Sequence, residues 1–156
     1  FARGATDAGN QVEKITLAGK SIGFCRGCLA CQNTRRCVIS DDAGSIVEKM
    51  LTADVIAFAT PIYYYEMSGQ MKTMLDRSNP LFTADYAFRD IYMLSTAAED
   101  GAEVPERAVS GLQGWINCYE QARLAGTVFG GGVNERGEIR QHPEKLREAY
   151  EMGRAV

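Results

Sequence analysis

The chain has 156 residues, of which 46% are apolar and 24% are charged, a composition typical of a globular protein with its own core. Its net charge of −3 gives no broad attraction to nucleic acid, and no apolar run is long enough to cross a bilayer, so neither a nucleic-acid partner nor a membrane is predicted. The odd number of cysteines, five, favours a reducing cytoplasm over a secreted disulfide scaffold.

The first half of the chain predicts two strands among helices and loops. Residues 1–5 favour a helix, and residues 11–17 alternate apolar and polar side chains as a half-exposed strand does. Residues 21–42 predict a loop with one helical turn. Residues 45–52 place apolar side chains on one helical face. Residues 54–60 are almost continuously apolar, as in a strand covered on both faces, and the proline after them is expected to end the strand.

The second half repeats the alternation of helices and strands. Helices are predicted over residues 68–78, 105–124 and 143–153, and strands over residues 89–96 and 125–129. Strands that alternate with helices indicate a parallel sheet with right-handed crossover connections. The sequence therefore predicts an α/β fold.

Four of the five cysteines lie within thirteen residues, in the spacing C-x2-C-x2-C-x5-C. This spacing resembles the cysteine run of bacterial ferredoxins, although the last gap is longer here and no proline follows it. One alternative is that the cysteines bind zinc. Another is that they bind no metal and are free or disulfide-bonded thiols. The predicted metal ligands are Cys25, Cys28, Cys31 and Cys37. The fifth cysteine, Cys118, is expected to pack in a helix, and Asp41-Asp42 are expected to begin the helix that follows the cysteines.

Three predicted strands end in segments that suit a ligand. They are residues 60–65 with three tyrosines, residues 95–100 with small side chains, and residues 129–132 with three glycines. In an open parallel sheet, ligands bind beyond the carboxyl ends of the strands, so these segments predict a site for a flat aromatic ligand. Interface packing is the alternative for the tyrosines, and a mobile turn is the alternative for the glycines.

The two longest motifs are C-R-G-C-L-A-C-Q-N-T-R-R-C-V-I-S-D-D and A-D-V-I-A-F-A-T-P-I-Y-Y-Y-E-M-S-G-Q-M-K-T-M-L-D-R. Together they resemble the NADPH-dependent FMN reductase and iron–sulfur flavoprotein family over nearly the whole chain. The resemblance implies a flavodoxin-like three-layer sandwich with parallel sheet order 2-1-3-4-5. It implies one FMN-binding domain over residues 1–156, and a homodimer or homotetramer.

The resemblance also implies which residues hold the cofactors. The cysteine run would carry a 4Fe-4S cluster. FMN would be contacted by Thr60, Pro61, Ile62, Tyr63, Tyr64 and Tyr65, and its ring by Thr96, Ala97, Ala98 and Glu99. The family's phosphate-binding loop, a pattern like G-S-P-R-x-x-G-N-T, would lie just before Phe1. The first strand and this loop are therefore expected to be missing, so that the domain is N-terminally incomplete.

The expected activity is electron transfer from NAD(P)H through FMN to a small-molecule or protein electron acceptor, and no catalytic acid–base residue is predicted. The alternative is a non-enzymatic iron–sulfur flavoprotein that ferredoxin reduces. A third hypothesis is a binding module of the same fold without a cofactor.

Overall fold

The computed structural model describes all 156 residues. Its helices and strands follow one another in the order α1 (Ala2–Asp7), α2 (Ala30–Thr34), α3 (Asp42–Thr52), β1 (Val55–Tyr63), β2 (Glu66–Met67), α4 (Gly69–Arg77), β3 (Asp90–Thr96), α5 (Glu106–Ile116), β4 (Arg123–Gly130) and α6 (Pro143–Arg154), with short 3-10 helices at Asn79–Thr83 and Glu138–Gln141. No helix is both long enough and apolar enough to cross a membrane.

The sheet has four strands in the order β2-β1-β3-β4. Strands β1, β3 and β4 are parallel, while the two-residue β2 folds back against the end of β1 as an antiparallel hairpin. The parallel neighbours confirm the predicted α/β fold. The register places Pro61 opposite Thr96 and Thr96 opposite Gly130, so the carboxyl ends of all three parallel strands lie at one edge. The full order 2-1-3-4-5 remains a prediction.

One predicted strand does not form. Residues 11–17 run without strand pairing, because no neighbouring strand supplies hydrogen bonds to them, although Ile15 and Leu17 still pack against the core. Residues 55–61 of β1 pair only with β3 and leave their other edge open. Pro61 does not end β1, which continues to Tyr63, because proline is tolerated where a strand edge has no partner for an N–H group.

Helices cover both faces of the sheet. Helices α3, α4 and α5 bury the larger core, with contributions such as Ile46, Met74 and Leu112 that are each at most 6% exposed. Strand β3 serves both faces. Ile91 lies in this core, while the Tyr92 ring packs against the ring of Phe1 in a tilted arrangement, at a centroid distance of 4.9 Å. Helices α1 and α6 pack together on this second face. Strand β3 is therefore buried on both sides, as is usual in a parallel sheet with helices on both faces.

Helix α5 is shorter than predicted. It ends at Ile116, and residues 117–122 form turns before β4 begins. Tyr119 lies beyond the helix yet is only 4% exposed, because its ring packs on Trp115 and Phe88 at centroid distances of 4.6 and 5.1 Å. The apolar spacing extends past the end of the helix because Tyr119 is buried, although its backbone is not helical.

Candidate functional site

The cysteine segment forms the wall of one cavity of about 400 Å³, and all four predicted cysteines line it. Cys31 is buried and Cys37 half-buried, while Cys25 and Cys28 are exposed, and every one is a free thiol. No three histidine, cysteine or acidic side chains are close enough together to hold a single metal ion. The thiols therefore surround a space and do not converge on one point.

The backbone of this segment bends sharply on both sides of α2. Leu29 and Arg35 flank that single turn with φ angles of 57° and 56°, and Gly27 has a φ of 64°. The left-handed conformation costs a non-glycine residue roughly 1–2 kcal/mol, so the surrounding contacts must hold the segment in place.

A buried ion pair supplies those contacts. The Arg77 side chain is fully buried and donates to both oxygens of Asp41, at 2.6 and 2.9 Å. The same guanidinium donates to the carbonyl oxygens of Gly23 and Ile39, on either side of the cysteines. Asp41 also accepts the N–H groups of Gly23 and Ala43, and the Arg77 hydrogen bonds hold its pKa below the usual range. One arginine of α4 therefore fixes both ends of the cysteine segment.

The wall of the cavity that faces the cysteines presents N–H donors. The Asn79 amide Nδ2 lies 3.0 Å from Cys31 Sγ and donates to it. Arg77 Nε is buried without a hydrogen-bond partner, and Arg77 also lines the cavity. The hydrogen bonds to the Asp41 carboxylate raise the pKa of Arg77. Because a buried N–H group without an acceptor is rare, this wall suits an anionic occupant.

The structure brings the three predicted strand-end segments together at one edge. The Ala97 N–H donates to Gly130 O at 3.2 Å, and the Val133 N–H donates to Ala97 O at 2.8 Å. A side chain at Gly131 would overlap the backbone of Asp100, which explains a glycine at this crossing. The segments after β3 and β4 are thus joined by backbone hydrogen bonds and by close approach.

The residues predicted to line a ring after β3 differ in exposure. Thr96 is half-buried and Ala97 is buried, whereas Ala98 and Glu99 are exposed. A second cavity, of about 520 Å³, lies beside this segment and is lined by residues that include Asp100, Gly131, Gly132 and His142. The exposed members and this cavity leave room for a ligand at the strand ends.

Two residues of the segment after β1 use their side chains inside the protein. Thr60 is 5% exposed, and its Oγ1 accepts the Ser68 N–H at 3.0 Å. Ile62 is 7% exposed and belongs to the core. Thr60 and Ile62 could therefore contact a ligand only through their backbone groups. Pro61 is exposed and could also contact it through its ring.

The three tyrosines differ from Thr60 and Ile62, because their side chains are exposed. Tyr63 and Tyr64 are 60% and 98% exposed, and Tyr64 and Tyr65 have φ angles of 51° and 66°. The Tyr65 hydroxyl donates to Glu99 Oε2 at 2.7 Å, and this carboxylate raises the pKa of Tyr65. Tyr64 and Tyr65 are the two central residues of the β1–β2 hairpin, where a two-residue turn of the type I′ kind requires positive φ angles at both positions, although glycine and asparagine are the usual residues there. The Tyr65–Glu99 hydrogen bond joins the segments that follow β1 and β3.

Helix α4 connects the two candidate regions. Its N-cap, Ser68, accepts the Met71 N–H and donates its own N–H to Thr60 at the strand ends. Its last residue, Arg77, lines the cysteine cavity. The nine residues of α4 span about 14 Å at 1.5 Å per residue. The strand-end region and the cysteine cavity are therefore held at opposite ends of one short, rigid helix.

Arg77 and Asn79 were not predicted from the sequence, and Asp41 was predicted only to begin a helix. Asp41 does cap α3, which begins at Asp42 and not at residue 45. A signal for Arg77 existed. Arg77 follows the apolar Met74 by three residues and therefore lies on the same face of the helix, and a buried arginine needs an acidic partner.

The parallel sheet, the helices on both its faces and the ligand-suited strand ends define a flavodoxin-like α/β protein. The sequence profile of the NADPH-dependent FMN reductase family matches residues 1–131, and the chain belongs to that family. Among solved structures, it is similar to an NAD(P)H:quinone oxidoreductase from Methanothermobacter marburgensis, with a TM-score of 0.71 and 17% identity over 97% of this chain and 82% of the other. The azoreductase AzrA has a TM-score of 0.69 at 14% identity, over 98% and 87% of the two chains.

Curated relatives named iron-sulfur flavoprotein are similar in sequence. One from Methanosarcina thermophila is 25% identical over 132 residues, which are 83% of this chain and 68% of the relative. One from Methanocaldococcus jannaschii is 40% identical over 75 residues, 48% of this chain and 39% of the relative. One from Archaeoglobus fulgidus is 35% identical over 74 residues, 47% of this chain and 34% of the relative. The chain thus spans well under half the length of the last two.

Proposed function

We propose that this chain acts in an oxidoreductase that moves electrons from NAD(P)H through FMN to a small-molecule or protein acceptor, with a 4Fe-4S cluster held by the four cysteines. The observation that carries the proposal is the position of α4. This helix is capped by a residue bonded to the strand-end segment, and it ends in a residue that lines the cysteine cavity. A flavin and a cluster at these two places would lie at opposite ends of one helix.

When bound, FMN supplies hydride and single-electron chemistry, and a 4Fe-4S cluster supplies single-electron transfer. At the strand ends, this chain positions the ring. The Tyr65–Glu99 hydrogen bond holds two segments at a fixed separation, and the exposed Tyr63 and Tyr64 offer aromatic surface against which a ring can exclude water. The backbone of residues 60–62 supplies polar groups for the ring edge, since the Thr60 hydroxyl is already bonded to Ser68.

At the cysteine cavity, the donor set suits a cluster better than a single ion. Four-coordinate zinc needs thiolates that all lie about 2.3 Å from one point, and no three ligands are grouped in that way. A cluster is bound by four cysteines at separate irons, so its thiolates surround a body of some size. The orphaned Arg77 Nε and the Asn79 amide also suit an anionic body in this cavity of about 400 Å³.

Anaerobic purification followed by iron, sulfide and flavin analysis tests the proposal. The wild-type chain is expected to bind about four irons and four sulfides, since a 4Fe-4S centre uses four cysteines. Cys31→Ser removes a cavity thiol and is expected to abolish the cluster. Cys118→Ser is the matched control, because Cys118 does not line the cavity and its substitution should leave the iron content unchanged. Equal iron content in the two variants would refute the assignment.

The electron donor is tested separately by following NADPH and NADH oxidation with FMN and a quinone present. Steady oxidation above the protein-free rate supports the enzyme. If neither nucleotide is oxidised while ferredoxin reduces the bound flavin rapidly, the chain is instead a non-enzymatic iron–sulfur flavoprotein that carries electrons.

We propose further that the chain forms a homodimer or homotetramer through the exposed tyrosines. Tyr64 is almost fully exposed, and tyrosine is enriched at protein interfaces. Sedimentation of the wild-type chain and of Tyr64→Ser tests this, and a monomeric wild type at micromolar concentration would contradict it.

A further inference from the structure

The side chain of Asn79 stands between the core and the cysteine cavity. It belongs to the 3-10 helix Asn79–Thr83 that follows α4, it is half-buried, and it lines the cavity. Its recorded side-chain hydrogen bond runs from Nδ2 to Cys31 Sγ, at 3.0 Å. Proline follows it, and the N–H groups of the next residues bond within the turn, so the backbone that carries the amide is rigid.

The acceptor of this bond is the most enclosed thiol of the four. Cys31 is 8% exposed, whereas Cys25 and Cys28 are exposed. A metal-bound cysteine is a thiolate, which can accept a hydrogen bond but cannot donate one, so the amide must present its nitrogen to it. Hydrogen bonds to charged acceptors are stronger than neutral ones, and they are least weakened by water where the acceptor is buried.

We propose that Asn79 is a positioning residue that raises the reduction potential of the cluster by donating a hydrogen bond to the Cys31 thiolate. The inference rests on the proposed cluster. The step concerned is the uptake of one electron from reduced flavin, with no bond made or broken at Cys31. Because the electron adds negative charge to the thiolate sulfurs, the N–H donor stabilises the reduced state more than the oxidised state. The buried, unpartnered Arg77 Nε on the same wall also favours added negative charge in the cavity, so it too raises the reduction potential.

Asn79→Leu removes the donor while it keeps the number and the branching of the side-chain heavy atoms. The loss of one hydrogen bond to a charged acceptor should reduce the ratio of reduced to oxidised cluster about tenfold at a fixed potential. For a one-electron couple, that is a shift of about 59 mV to lower potential. Asn33→Leu is the matched control, since Asn33 lies in the same cysteine segment, is exposed and makes no side-chain hydrogen bond.

Anaerobic redox titration of the reconstituted proteins, read by electron paramagnetic resonance of the reduced cluster, measures the shift. A lower potential in Asn79→Leu at unchanged iron and sulfide content, with Asn33→Leu equal to wild type, supports the inference. Asn79→Asp has the same shape but an anionic acceptor in place of the donor, and it is expected to lower the potential further. An unchanged potential in either Asn79 variant overturns the role of Asn79. A wild type without iron and sulfide overturns the cluster itself, and the two failures are thereby distinguished.

Discussion

Replacing Asp41 with asparagine should destabilise the whole chain, because it leaves a charge buried without a partner. The substitution keeps the size of the side chain and one oxygen that can accept the Ala43 N–H. It replaces the second oxygen with an NH₂ group, which cannot accept a hydrogen bond from the Arg77 guanidinium. Arg77 cannot turn to water, since its side chain has no exposed surface and its other bonds run to Gly23 O and Ile39 O.

The magnitude follows from the burial of the pair. Removing one partner of a buried ion pair costs about 3–5 kcal/mol, which is a large part of the 5–15 kcal/mol that typically holds a domain of this size folded. With a urea slope of about 2 kcal/mol per M, the midpoint of unfolding should fall by about 1.5–2.5 M. Asp90→Asn is the matched control, because Asp90 pairs with Arg123, whose side chain is 77% exposed, and an exposed pair contributes at most about 1 kcal/mol.

Urea unfolding, followed by circular dichroism and by the fluorescence of the single tryptophan, compares the three proteins. The acid dependence gives a second measurement. Arg77 holds the pKa of Asp41 below its unfolded value of about 3.9, so the contribution of this carboxylate is complete above that value. It is lost as the pH falls through the lowered pKa. The gap between wild type and Asp41→Asn should therefore narrow in acid. A loss below 1 kcal/mol at pH 7, or a gap that does not change with pH, would refute this reasoning.

Three further substitutions test other parts of the structure. Gly114→Ala, at an exposed position of α5 with open space around it, should stabilise the chain by about 0.5–1 kcal/mol through helix propensity, and an unchanged urea midpoint would contradict that. Gly131→Ala should destabilise it by about 1–3 kcal/mol, since the new methyl overlaps the backbone of Asp100, and a tolerated alanine would show that the segment can yield. Tyr65→Phe removes an exposed hydrogen bond to Glu99 and should change stability by less than about 0.5 kcal/mol. With FMN at the strand ends as proposed, the substitution should also weaken FMN binding about two- to tenfold in a fluorescence titration, and equal affinity would show that the bond does not organise the proposed flavin site.

Local patterns predicted most of the helices and strands because their signals lie within a few residues. Strand β3 is observed over Asp90–Thr96, against residues 89–96 from the sequence, and α4 over Gly69–Arg77, against residues 68–78. The failures have a physical reason. In residues 11–17, apolar and polar side chains alternate as in a strand. A strand also needs a neighbouring strand to pair with its backbone groups, and the alternation does not show whether one is present.

In the candidate site, the residues close together in sequence were predicted, whereas the contacts between distant residues were not. The cysteine spacing brought four residues to one cavity, as expected of ligands close in sequence. The ion pair that holds their segment joins Asp41 to Arg77 across 36 residues, and no local pattern contains both. Asn79 was missed because a single asparagine before a proline is typical of a turn. Thr60 was predicted to end a strand, whereas β1 continues to Tyr63, and its bond to Ser68 was not predicted.

The open edge of β1 has a consequence for amide hydrogen exchange. In a parallel strand the N–H and C=O groups of one residue point to the same side, and successive residues point to opposite sides. Along residues 55–61, every second amide should therefore be protected by β3, while the amides between them exchange at close to the rate of an exposed loop. A strand that pairs with this edge would slow the exchange of the amides that face it and leave the amides bonded to β3 unchanged. Hydrogen exchange along β1 would therefore detect such pairing.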